Sequence, residues 1–125
     1  MAVILIADDE EPLRNFVARG LQLDGHIVHA AEDGAEALDL LLQPGAAYDL
    51  LLTDIRMPMM DGIALALAAA QAHPTMPIIL MTGFADQRER ARNLEALIRE
   101  VLTKPFSLAD LRSAVRQVLE NPGPA

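Results

Sequence analysis

The chain is 125 residues long and 52% hydrophobic, with 18 acids against 10 bases and a net charge of −8. This is one domain with a single core, too apolar to be disordered, yet with no apolar run near the ~20 residues that cross a bilayer. The acidic surplus argues against direct nucleic-acid binding, which needs surplus Lys and Arg, and the absence of cysteine removes disulfides, zinc fingers and thiol nucleophiles.

The amino terminus reaches an acidic cluster by residue 8 without the basic segment of a signal peptide, so a cytoplasmic location is expected. Val3 to Ala7 is a wholly apolar run, the mark of a strand buried on both faces. Pro12 suits a first helical turn, and Leu13, Phe16, Val17 and Leu21 recur at helical spacing until Gly25. His26 to Ala30 reads as a weaker second strand, and Leu38, Leu41 and Leu42 form the apolar stripe of a helix ending before Pro44-Gly45. Leu50 to Thr53 is a third strand, and Ile63 to His73 an Ala-rich helix closed by Pro74. Ile78 to Met81 is a fourth strand. Arg88 to Ile98 reads as a charged helix with Ala91, Leu94 and Leu97 inward, and Val101 to Thr103 as a short fifth strand. Ser107 with Asp110 three residues on forms a capping box, and Leu108, Leu111, Val115 and Val118 follow at the helical period. Residues 121–125 read as a tail.

Strands alternating with helices imply a parallel sheet covered on both faces, and such sheets bind ligands beyond the carboxyl ends of their strands. The residues just past each apolar run are Asp8 and Asp9, then Asp54, Thr82 and Lys104. Three carboxylates on one edge repel one another, by about 4 kcal/mol for a pair ~4 Å apart at an effective dielectric of 20. One lysine does not balance them. A divalent cation does, and oxygen ligands without His or Cys point to Mg²⁺. A carboxylate beside Mg²⁺, a hydroxyl and an ammonium is the set that phosphoryl transfer needs.

In these residues the chain resembles the receiver domains of bacterial two-component response regulators. The matching motifs are Asp8-Asp9, Thr53-Asp54-Ile55-Arg56-Met57-Pro58, Asp61-Gly62, Thr82-Gly83 and Lys104-Pro105-Phe106. Five motifs in order from residue 8 to 106 are specific where each alone is weak. The resemblance implies a flavodoxin-like α/β fold, a doubly wound five-stranded parallel sheet with five helices and strand order 2-1-3-4-5. Residues 1–120 would form the receiver. It also implies the roles. Asp54 accepts the phosphoryl group from a histidine kinase or a histidine phosphotransfer protein. Asp9 and Asp54 ligate Mg²⁺ directly with the backbone carbonyl of Arg56, and Asp8 does so through water. Thr82 hydrogen-bonds a phosphoryl oxygen, Lys104 pairs with Asp54 and then with the phosphoryl group, and the Lys104–Pro105 bond is cis. Such a domain is no enzyme beyond its own phosphorylation and dephosphorylation. It presents its fourth helix, fifth strand and fifth helix to a downstream protein, with no nucleic-acid or membrane partner.

The chain departs from the family at Val101, where a switch aromatic is usual, and carries Arg56 and Phe84 beside the expected phosphoryl position. The switch is therefore expected in residues 82–92 rather than at residue 101. Residues 96–100 lack the small-residue turn common before strand five. An aspartyl phosphohydrolase resembling the haloacid dehalogenases wants a second Asp where Arg56 stands, and the acids after strand one would repel the phosphate of a flavin nucleotide. With no output domain in view, the chain reads as a stand-alone receiver. Residues 81–106 resemble single-domain receivers of the CpdR type, which are adaptors for the ClpXP protease. The alternative function is thus an adaptor that binds its partner mainly unphosphorylated.

Overall fold

Three runs of consecutive apolar residues sit where both faces of a sheet are covered, and they set the architecture. The computed structural model describes residues 1–83 and 96–121. Its elements are β1 (Val3–Ala7), α1 (Glu11–Leu23), β2 (Ile27–Ala31), α2 (Gly34–Leu41), β3 (Leu50–Asp54), α3 (Gly62–Ala72), β4 (Ile78–Thr82), β5 (Glu100–Thr103) and α4 (Leu108–Glu120). The strands form one parallel sheet in the order β2-β1-β3-β4-β5. All of β3 and β4 is buried, as expected of central strands that carry no outward polar alternation.

Each sheet face has its own core. Leu5, Leu51, Ile78 and Leu80 pack with Ala37 and Leu41 of α2 and Leu65, Ala66 and Ala69 of α3. Ile4, Ile6, Leu52, Ile79 and Met81 pack with Val17 and Leu21 of α1 and Leu111, Val115 and Val118 of α4. The helix ends follow local chemistry. Pro12 lies in the first turn of α1, Asp33 and Asp61 cap α2 and α3 with their side chains, and Ser107 and Asp110 form the reciprocal capping box of α4.

Several expectations shift. β2 runs one residue later than its apolar pattern predicts, because Ile27, His29 and Ala30 on this edge strand are exposed. The last helix begins at Leu108 as expected, but Leu42 is the C-cap of α2 and is 60% exposed rather than part of an inward stripe. Phe16 of α1 is likewise exposed, since it falls beside the stripe led by Val17 and Leu21. The described residues contain four helices. Most of the helix expected over 88–98 lies outside them, and of its last three residues Ala96 and Leu97 form a turn and Ile98 is irregular. The switch segment expected over residues 82–92 also lies outside them from residue 84 on.

Candidate functional site

Parallel strands in register end together, and this brings the expected residues to one edge. Ala7 pairs with Thr53, so Asp8 leaves β1 beside Asp54, the last residue of β3. Thr82 closes β4 opposite Thr103, and the backbone N–H of Lys104 donates to the Thr82 carbonyl at 2.6 Å. The Lys104–Pro105 bond is cis.

Asp8 is fully buried. Its Oδ1 accepts the Glu10 backbone N–H at 2.8 Å, while its Oδ2 is buried with no hydrogen-bond partner. Burial pushes its carboxyl up to about 6, and the Asp54 charge adds to the effect; the Glu10 N–H and Lys104 oppose it. Asp54 is only 4% exposed. Its Oδ1 accepts the Ile55 N–H at 2.8 Å, and its Oδ2 accepts from Lys104 Nζ at 2.8 Å. Asp9, the next residue along the chain, is exposed. Thr82 is fully buried, and its Oγ1 has no partner. Arg56 sits exposed in the loop after β3.

Gly62 has a positional reason. A Cβ there would overlap the Asp54 carbonyl and crowd the Ile55 backbone, so the first turn of α3 packs directly beneath the end of β3. Asp61 then holds that turn by accepting the Ala64 N–H at 2.8 Å.

Two residues escaped the sequence reading. Glu10 joins the cluster, for carboxylate oxygens of Asp8, Asp9, Glu10 and Asp54 all lie within 4.8 Å of one another, and its Oε1 is 4.0 Å from Lys104 Nζ. The signal was its place directly after the acidic pair. Arg14, one turn into α1, donates from Nη1 to the Asp8 carbonyl at 2.9 Å and ties the strand exit to the helix. No spacing rule would have found it.

Four carboxylates around one ammonium are electrostatically incomplete. The unpartnered Asp8 oxygen and the all-oxygen donor set fit a hard divalent cation. A cavity of about 890 Å³ opens at the opposite end of the sheet, among residues such as Tyr48, His73 and Arg112.

Comparison with known proteins agrees with this geometry. The chain matches the response regulator receiver domain over residues 4–116. It is 37% identical over 119 residues to the response regulator receiver protein CpdR of Brucella abortus, covering 95% of this chain and 98% of that protein. It is 38% identical over 120 residues to the sensor kinase CckA of Brucella abortus, where it covers 95% of itself but 13% of the kinase. Against the response regulator MprA of Mycobacterium sp. (strain KMS) it is 32% identical over 97% of its length and spans 52% of that protein. A receiver protein structure from Sinorhizobium medicae aligns with TM-score 0.84 and 36% identity over 98% and 97% of the two chains. A CheY-like receiver from Methanospirillum hungatei aligns with TM-score 0.88 and 27% identity over 98% and 96%. The strand order, the acidic edge and a match running from β1 into α4 lead to one conclusion: this chain belongs to the response regulator receiver domain family of two-component systems.

Proposed function

We propose that this receiver accepts a phosphoryl group on Asp54 from a histidine kinase or a histidine phosphotransfer protein. The observation that carries the reading is the buried Asp54 carboxylate, held at 2.8 Å by Lys104 at the edge where Asp8 and Thr82 each keep an unpartnered oxygen. An Asp54 oxygen attacks phosphorus, a P–O bond forms and the P–N bond of the phosphohistidine breaks. The imidazole leaves with the electron pair. The Lys104 ammonium offsets the charge gathering on the equatorial oxygens, and the Thr82 hydroxyl donates to one of them. Asp8, Asp9 and Asp54, with the Arg56 backbone carbonyl, would hold Mg²⁺, which supplies further charge neutralisation. Catalysis is confined to the chain's own phosphorylation and dephosphorylation.

The receiver extends over residues 1–120 and acts in the cytoplasm. Among the described residues no helix is long and apolar enough to cross a membrane. The charge of −8 supports a protein target rather than nucleic acid. That target would engage the face made by β5, α4 and the segment expected as helix over residues 88–98, most of which lies outside the described residues. A second reading, an adaptor that binds its partner mainly unphosphorylated, is favoured by Val101, which is half-buried against the core where the family's moving aromatic is expected.

Intact mass measurement after incubation with acetyl phosphate tests the main reading. Wild type gains one phosphoryl group with Mg²⁺ and none with chelator, and Asp54→Asn gains none. Equal labelling of that variant overturns it.

A further inference from the structure

α2 and α3 lie on one face of the sheet and share a core. They start side by side, because Gly34 sits so close to Met60 that a Cβ would overlap its backbone carbonyl. α3 contains no charged residue. Its outer positions are Ala64, Leu67 and Gln71, spaced as one helix face, and Leu67 is 46% exposed. At the end of α2, where the Leu41 carbonyl lies 2.7 Å from His73 Nε2 just past α3, Leu42 is 60% exposed.

The outer side of α2 is different in kind. Glu36 and Asp39 are exposed three residues apart, so they share one face of the helix, and Glu32, just before the Asp33 cap, is exposed as well. No described residue forms an ion pair with them, and neither α2 nor α3 contains a base. From Gly20 to Gly83 the sequence has eight acids and one base, Arg56. A merely solvated helix mixes signs, as α4 does with Asp110, Arg112, Arg116 and Glu120.

We propose that the α2–α3 layer is a docking surface for a basic amphipathic helix of a partner protein. The partner's apolar side packs on Leu67, Ala64 and Leu42, with small Ala64 permitting close approach, and its flanking Lys and Arg pair with Glu32, Glu36 and Asp39. Charge complementarity selects this occupant. A second copy of the chain would set acid against acid, and a nucleic acid or an anionic membrane would be repelled. The surface lies on the sheet face opposite α4 and is built from residues other than Asp54 and its Lys104 partner, so binding there does not require the Asp54 carboxylate.

The test uses a fluorescein-labelled amphipathic helical peptide of Leu and Lys, titrated against the full chain with saturating Mg²⁺ to occupy the acidic edge. Anisotropy should report binding that weakens as salt rises, and a Leu/Glu peptide of the same pattern should not bind. Glu36→Lys/Asp39→Lys should weaken binding roughly tenfold or more, while Glu11→Lys/Glu120→Lys, the same charge change on the other layer, should have little effect. Leu67→Asp is the sharper variant. It adds an acid, so a purely electrostatic association would strengthen, whereas docking on the apolar strip weakens roughly tenfold. Asp54→Asn should bind as wild type does. Unchanged or tighter binding by folded Leu67→Asp, equal loss in the two charge-reversal variants, or sedimentation showing the free chain paired through this layer would overturn the proposal.

Discussion

Asp8 carries a stability cost that metal-free conditions expose. Its carboxyl titrates near 6 in the fold against 3.8 when unfolded, a difference of about 2 units, or up to about 3 kcal/mol at 1.36 kcal/mol per unit. The folded carboxyl holds its proton longer, so between roughly pH 4 and 6 the native state binds more protons than the unfolded chain. Stability from this group is fully present below pH 4, falls as pH rises through 6, and stays low above that. Asp8→Asn removes the buried charge. Its amide oxygen can keep the bond from the Glu10 N–H, and its amide nitrogen occupies the place of the unpartnered Oδ2. In chelator at pH 7.5 the variant should be more stable than wild type by about 2–3 kcal/mol, a rise in Tm of about 10 °C for a domain of this size. At pH 4 the two should coincide. Circular dichroism melts from pH 4 to 8 measure both, and added Mg²⁺ should raise wild type more than the variant. An Asn variant no more stable at pH 7.5, or a gain independent of pH, would show that the buried Asp8 charge does not cost stability.

Three further outcomes follow from the geometry. Gly62→Ala forces a methyl into the Asp54 carbonyl and should cost about 2 kcal/mol in urea unfolding, with a lower rate of labelling by acetyl phosphate. Ser107→Ala breaks the reciprocal cap of α4 and should cost about 1 kcal/mol, with labelling unaffected. Lys104→Ala should still accept the phosphoryl group, yet bind a phosphorylation-dependent partner more weakly at matched phosphorylation, because the site loses the ammonium that reads the added charge; titration of the labelled variant measures this.

The fold was legible where burial leaves one solution. β1, β3 and β4 are uninterrupted apolar runs, and only a doubly covered parallel sheet accepts them. The edge strand β2 was misplaced by a residue because His29 and Ala30 face water and carry no strong period. Leu42 looked like a core position because helical spacing does not reveal where a helix stops. The site was legible as a set, since Asp8, Asp9, Asp54, Thr82 and Lys104 each follow a strand. Which of the adjacent acids is buried was not, because that depends on how the β1 exit meets α1. Arg14 is invisible in sequence for the same reason, as it bonds a backbone carbonyl rather than a charged side chain. Glu10 enters the cluster only because α1 turns back over the strand end.

Asp54 is proposed as the residue that carries the phosphoryl group. Reduction of the freshly labelled chain with borohydride converts an aspartyl phosphate to homoserine, and peptide sequencing by mass spectrometry then locates it. Homoserine is expected at position 54 alone, formed only when Mg²⁺ was present during labelling. Homoserine at position 8 or 9, or a labelled chain with an intact Asp54, would contradict it.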